Sequence, residues 1–286
     1  MMAPGHPLSS GRRPPLNKDT RLCISLAARP SNIGTRFHNY LYEELGLDYL
    51  YKAFTTTDIA AAIGGVRALG IRGGCSVSMP FKFDVIALVD EVEPSARAIE
   101  SVNTIVNDDG YLRASNTDYL AVQQLIDSHR LDPDDASSSG GAVGGMASAV
   151  ATAFQASGFG SGTVLARNAR AGRQLADRLG YAYAPEVGSL RAPILVNVTP
   201  IGMSGGPPEE CQQSFDDDVI AKAHNVFDVV ALPSETPLIA AARAAGVEVI
   251  TGAEVIALQA AEQFERYTGV RPSPEQIAAA SAISRA

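Results

Sequence analysis

The chain has no tryptophan, four histidines and three cysteines in 286 residues, and each shortage removes a class of chemistry. Cys23, Cys75 and Cys211 are too widely spaced for a disulfide framework or a zinc pattern. The histidines show no ligand spacing either, so no metal is expected. Thiols this sparse fit a reducing compartment, and the localisation read from them is cytoplasmic. Lysine and arginine number 23 against 31 acidic residues, a formal net charge of −8. A nucleic-acid partner wants a basic face, so none is expected. No apolar run approaches the roughly 20 residues that a membrane span needs, and no membrane partner is expected. The first 18 residues, MMAPGHPLSSGRRPPLNK, are rich in proline, glycine and arginine and lack an apolar stretch. They read as a disordered leader rather than a signal peptide.

What is present is 46% apolar and 19% charged, ample for a buried core, in a length that suits one large or two medium domains. Strand-like and helix-like segments alternate from Arg21. Strands are expected at 21–25, 49–54 and 73–78, and helices at 37–45 and 58–69, the second capped by Thr57. A further helix is expected to start at Pro80 and run toward Asp90. Asp108-Asp109-Gly110 separates strands at 104–107 and 111–114, a strong hairpin signal. After a helix at 118–129 the stretch DPDDASSSGGAVGG turns polar and glycine-rich. Beyond it come helices at 146–157, 171–179 and 237–245 and strands at 163–166, 194–198, 226–230 and 247–250, the rhythm of a doubly wound nucleotide-binding domain. The expected fold is α/β: an N-terminal α/β domain (19–120) completed by C-terminal helices (251–286), with a Rossmann-type domain (121–250) between them.

Two motifs carry chemistry. In SVSMPFK a strand ends, Pro80 pre-sets a helix start, and Lys82 falls in its first turn, where the macrodipole disfavours a cation. That suits a proton donor or acceptor, although position alone also suits a solvated lysine. SVNT (101–104) and SNTD (115–118) end the two hairpin strands, so their polar side chains can converge at one rim. Asp118 opens the next helix, where a carboxylate is also a simple cap.

Taken together, SVSMPFK, AIESVNTIVNDDGYLRASNTD, LVNVTPIGM and ETPL with GAEVIALQAAEQFERYTG resemble the shikimate dehydrogenase family, in order and at suitable spacing from residue 21 to 270. RPSNIGTRFHNYLYEELGL and the hairpin resemble its shikimate dehydrogenase-like branch most. The resemblance implies NADP-dependent hydride transfer between 3-dehydroshikimate and shikimate, or a quinate-like cyclic hydroxy acid. It assigns the catalytic lysine to Lys82 and its aspartate partner to Asp118. Substrate contacts fall on Asn103, Gln259 and Ser78. The family's paired serines fall on Asn32 and Gly34, beside Ser31 and Thr35, so Asn32 and Thr35 are the expected contacts there and Arg36 a candidate carboxylate donor. A tyrosine of the family is Ala231 here, which leaves the substrate open within the class. A small-molecule partner and a monomer or homodimer are expected.

A dinucleotide needs a glycine turn at a helix N-terminus, and the resemblance places it at Gly144, Gly145 and Met146. By itself the serine- and glycine-rich segment reads as a linker, because Ala136–Ser139 are poor strand formers where valine or isoleucine is expected. After the strand at 163–166 no acid stands ready for a ribose 2′-hydroxyl. Arg167, Asn168 and Arg170 follow instead, with Arg173 a turn later, and arginine suits the 2′-phosphate of NADP. Thr199, Gly202 and Met203, with Val229 and Gly252, complete the expected cofactor contacts. The competing readings are an NAD enzyme acting on another hydroxy acid and a catalytically weak ligand-binding protein on the same fold.

Overall fold

Two six-stranded sheets organise the chain in this computed structural model, which describes residues 13–133, 137–140, 145–204 and 212–285. The described residues through Thr117 and from Ala260 onward form one unit, and those between them form the other.

The first unit runs β1 (Arg21–Ala27), α1 (Ile33–Glu44), β2 (Tyr49–Thr55), α2 (Ile59–Ala68), β3 (Gly74–Val77), β4 (Glu91–Val92), α3 (Pro94–Arg97), β5 (Thr104–Asp108) and β6 (Tyr111–Ser115). Its sheet order is β2-β1-β3-β5-β6-β4, with β1 parallel to β2 and β3 and with β5 antiparallel to β3 and β6. Alternation along β1 sends Ile24 and Leu26 to one face with Cys75 and Val77 of β3, where Ile59, Ile63 and Val66 of α2 close the layer. Cys23 and Tyr51 take the other face, against Tyr42 and His38 of α1. Each large side chain buried in these layers contributes roughly 1.5–3 kcal/mol relative to exposure.

The second unit follows along α4 (Thr117–Ser128), β7 (Ser137–Gly140), α5 (Gly145–Ala156), β8 (Gly162–Leu165), α6 (Ala169–Leu179), β9 (Ala182–Ala184), β10 (Ile194–Asn197), α7 (Asp217–Ile220), β11 (Asn225–Asp228), α8 (Pro237–Ala244) and β12 (Glu248–Ile250). All its strand pairs are parallel, in the order β12-β11-β10-β7-β8-β9. The strand order reverses between β7 and β10, the switch point beside which doubly wound sheets hold dinucleotides. The helix α9 (Gly252–Thr268) starts in this unit and ends in the first, where α10 (Pro274–Arg285) packs against α1.

Several local expectations change. The Ser-rich stretch is not a linker: Ser137–Gly140 pairs with both β8 and β10, so tertiary pairing overrides weak strand propensity. Pro80 starts no α-helix. Residues 79–83 form a turn, followed by a short 3₁₀ helix at Asp84–Leu88. The macrodipole argument for Lys82 therefore has no helix to act through. The α1 helix begins at Ile33, well before residue 37, which puts Asn32 at its N-cap and Thr35 in its first turn. The cap of α2 is Asp58, whose Oδ1 accepts from Ala61 N at 2.9 Å, and not Thr57. Of the stretch read as a leader, residues 1–12 lie outside the described residues, whereas Arg13 donates to the Tyr49 carbonyl and Asn17 to Asp48. Among the described residues no helix is long and apolar enough to cross a membrane, and no group of histidine, cysteine and acidic side chains could hold a metal.

Candidate active site

The edge where β1 and β3 end is stitched by Ser78 N donating to Leu26 O and Ala28 N to Met79 O. The turn that follows carries Lys82, half-buried, whose carbonyl accepts from Val102 N at 2.8 Å. The main chain of Lys82 is thereby fixed to the segment that leads into β5. One residue on, Asn103 is buried, and its carbonyl accepts from Val77 N at 2.8 Å.

The hairpin register pairs Thr104 with Ser115, which brings the two motif ends together as the sequence suggested. Asn103 Oδ1 accepts from Thr117 N at 2.8 Å, Thr117 Oγ1 at 3.2 Å and Thr104 Oγ1 at 2.8 Å. Asn116 Nδ2 donates to Ser101 O at 2.9 Å, and Asn116 N to Ser95 Oγ at 3.1 Å. Asn103 thus satisfies an orphan amide at the start of α4, the helix on which Asp118 is the next residue and is buried.

The other residues expected to contact substrate differ in setting. Ser78 is exposed at the β3 exit. Asn32 is exposed and makes no side-chain cap, so its first-turn amides in α1 take no bond from it. Thr35 Oγ1 is buried and meets no hydrogen-bond partner among the described residues. Arg36 is exposed. Gln259 is half-buried, and its Nε2 donates to Ile256 O within α9 at 3.3 Å.

In the second unit Gly144 lies outside the described residues, Gly145 is the first residue of α5, and Met146 follows half-buried. Arg167 and Arg170 are exposed just past β8. Asn168 acts as the N-cap of α6, its Oδ1 accepting from Ala171 N at 3.2 Å, so its side-chain oxygen is engaged by the helix. Arg173 stacks over the Tyr183 ring, 4.6 Å from its centroid. Beyond β10, Asn197 Oδ1 accepts from Thr199 N at 3.0 Å and Thr199 Oγ1 at 2.6 Å, which closes the TPIGM turn. Gly202 holds φ +86 there, a left-handed conformation suited to glycine, and Met203 is exposed. Val229, half-buried, donates its N–H to Asn197 O at 3.0 Å. A Cβ on Gly252 would lie 2.4 Å from the Val230 backbone, so only glycine admits that approach.

The polar core under this loop is Asp228. Its carboxylate accepts from Asn197 Nδ2 at 2.9 Å, Val230 N at 3.0 Å and Thr236 Oγ1 at 2.6 Å. Burial pushes its pKa above the ordinary carboxylate range, and the three bonds pull it partway back. Asp228→Ala leaves these donors unpaired at about 1–3 kcal/mol each. We expect urea unfolding to show a loss on the order of 3 kcal/mol or more for Asp228→Ala. Asp228→Asn keeps the Oδ1 acceptor and should lose far less. Equal midpoints for the two variants would contradict this.

The comparisons with known proteins agree on one family. The shikimate dehydrogenase substrate binding domain matches residues 32–105. The shikimate dehydrogenase-like protein of Haemophilus influenzae (strain ATCC 51907 / DSM 11121 / KW20 / Rd) is 56% identical over 94% of this chain and 98% of its own length. The chain belongs to the shikimate dehydrogenase family. Among solved structures, a shikimate 5-dehydrogenase-like protein superposes with a TM-score of 0.92 at 56% identity, covering 95% of this chain and 100% of its own. The shikimate 5-dehydrogenase from Thermus thermophilus, in complex with NADP(H) and shikimate, gives 0.80 at 26% identity over 92% of this chain and 99% of its own.

Within this shikimate dehydrogenase family member the matched stretch takes in Asn32, Thr35, Ser78, Lys82 and Asn103 and ends before Asp118. Sequence reading missed Thr104 and Thr117, which stand inside the quoted motifs, and Asn197, Asp228 and Thr236, which fix the TPIGM loop. Polar residues at the ends of apolar strands were the available signal for Asn197 and Asp228, and the Thr-Pro helix start for Thr236. Gln263 gave none, since four residues beyond Gln259 it reads as one more polar position on a helix.

Proposed function

We propose that the chain is an NADP-dependent dehydrogenase that interconverts 3-dehydroshikimate and shikimate, or a quinate-like cyclic hydroxy acid, with Lys82 and Asp118 handling the proton of the reacting hydroxyl. The observation that carries this reading is the Asn103 side chain capping the helix of Asp118, beside the turn whose main chain at Lys82 is pinned by Val102. An ammonium stabilises and protonates an alkoxide-like oxygen, and a nearby carboxylate orients that ammonium. Asn103 and Gln259 bind the ring hydroxyls. The first-turn amides of α1, next to Thr35, favour the substrate carboxylate. The buried free thiols Cys23 and Cys75 suit the cytoplasm.

The donor set of the second unit fits a phosphorylated dinucleotide. Gly145 opens α5, the next element after the strand at the switch point, and β8 is followed by Arg167 and Arg170 with no acid among residues 166–173. When bound, the nicotinamide supplies or takes up the hydride. Arg167 holds the 2′-phosphate, and Thr199, Gly202, Met203, Val229 and Gly252 shape the opposite end. A panel of shikimate, quinate and related cyclic hydroxy acids, run with NADP⁺ and NAD⁺, tests the reading. We expect turnover with NADP⁺. Arg167→Ala should raise the KM for NADP⁺ about 10–100-fold, the equivalent of one charge-assisted bond, and leave NAD⁺ kinetics unchanged. Preference for NAD⁺ in the wild type, or equal losses with both cofactors, would overturn the assignment of Arg167. No turnover with any acid would favour a ligand-binding protein.

A further inference from the structure

We propose that Gln263 is a positioning residue that sets which way round the Asn103 side-chain amide is presented to substrate. This rests on the functional reading above, in which Asn103 binds a ring oxygen. Gln263 lies on α9 and is buried, 160 residues along the chain from Asn103. Its Nε2 donates to Thr104 Oγ1 at 3.0 Å and to Asn103 O at 3.3 Å.

The first of these bonds has a direction. An amide N–H can only donate, so Thr104 Oγ1 accepts from Gln263, and its own proton is free for Asn103 Oδ1 at 2.8 Å. Donation therefore runs from Gln263 through Thr104 to Asn103. The same Oδ1 also takes Thr117 N–H, a donor that cannot rotate away. A flipped Asn103 would set its NH₂ group against that N–H. It would also have to give a proton to a Thr104 oxygen already engaged by Gln263. The second Gln263 bond joins Val77 N on the Asn103 carbonyl and holds the main chain of the same residue. With Oδ1 filled by donors, Asn103 offers a ligand its two Nδ2 protons. The group it recognises is then an oxygen acceptor, a hydroxyl or carbonyl oxygen of the ring, and an ammonium or amide donor is rejected there.

The test uses the full chain at about pH 8, where shikimate oxidation releases its proton readily, with calorimetric titration of shikimate and steady-state oxidation of shikimate by NADP⁺. Gln263→Leu and Thr104→Val should each weaken shikimate Kd and KM about 10-fold, the effect of one misdirected hydrogen bond, with kcat within about 3-fold of wild type. Thr104→Ser keeps the relaying hydroxyl and should stay near wild type. The double variant Gln263→Leu/Thr104→Val should be hardly weaker than Thr104→Val, because Gln263 acts largely through Thr104. Wild-type shikimate affinity in Gln263→Leu overturns the proposal. So does a fall in kcat with KM unchanged, or a Thr104→Ser loss equal to that of Thr104→Val. If Thr104→Val fails to fold, Gln263→Leu is decisive on the same two measurements. A wild-type chain that binds and oxidises no acid of the panel, shikimate or quinate-like, removes the functional reading and this role with it; one that uses a quinate-like acid instead takes that acid through the same variants. A wild type that does both, beside an unaffected Gln263→Leu, removes only the role of Gln263.

Discussion

Lys82→Ala is expected to lower kcat for shikimate oxidation about 10²–10⁴-fold, the range ordinarily lost with a positioned general acid or base. The turn that carries Lys82 is fixed by its own main chain, through Val102 N to Lys82 O and Phe81 N to Ser78 O. Truncating the side chain therefore removes the ammonium without removing what shapes the backbone, and the melting temperature should change little. Lys82→Arg separates two roles that a lysine combines. A guanidinium keeps the positive charge yet does not give up a proton in the accessible pH range, so the variant should stay strongly impaired if proton transfer matters. Asp118→Asn should fall in the same range as Lys82→Ala. The double variant should be little worse than either single one, because groups acting as a unit are not additive. Parallel kinetics on purified wild type and the four variants settle the matter. Equal rates in wild type and Lys82→Ala would remove the mechanism.

Much of this site was legible because its chemistry is written in short polar runs that interrupt apolar strands. SVNT and SNTD announced a shared rim, and the hairpin signal at Asp108–Gly110 dictated that they meet; the pairing of Thr104 with Ser115 is the outcome. The alternation of strand and helix likewise led to the parallel sheet of the second unit. What escaped was decided by partners distant in sequence. Ser137–Gly140 has little strand propensity of its own and becomes a central strand because β8 and β10 both offer edges to it. Pro80 looked like a helix start, yet the chain turns through Lys82 and forms only a 3₁₀ segment, so the expected dipole at Lys82 was an error of local reading. Asn168, expected as a cofactor contact, also caps α6 through its side-chain oxygen, a second role that the local sequence did not announce. Gln263 was invisible because its bonds reach back to the hairpin, which no local pattern reports.

A second large effect is expected from acid, and it originates at His38. The ring is fully buried, stacked at 4.4 Å on Tyr51, with Phe37, Tyr42, Phe264 and Tyr267 around it. Neither ring nitrogen meets a partner at hydrogen-bond geometry among the described residues. Burial pushes its pKa from 6.5 down to about 3, with Gln263 opposing only in part. The unfolded chain therefore takes up a proton at this histidine as pH falls through 6.5, while the folded chain resists until about pH 3. Between those limits the unfolded state binds more protons, so stability rises with pH and is lost on acidification. The slope is about 1.4 kcal/mol per pH unit, which amounts to roughly 3 kcal/mol over about two units below the unfolded pKa. At higher pH the residue is neutral in both states and adds no pH dependence. His38→Phe keeps a flat ring for the stack and cannot be protonated. Its urea midpoint should therefore track wild type in mild alkali apart from a constant offset, and fall much less steeply once the pH drops below 6.5. Acid limbs of equal slope in the two proteins would show that other groups, and not this buried imidazole, set the acid limit.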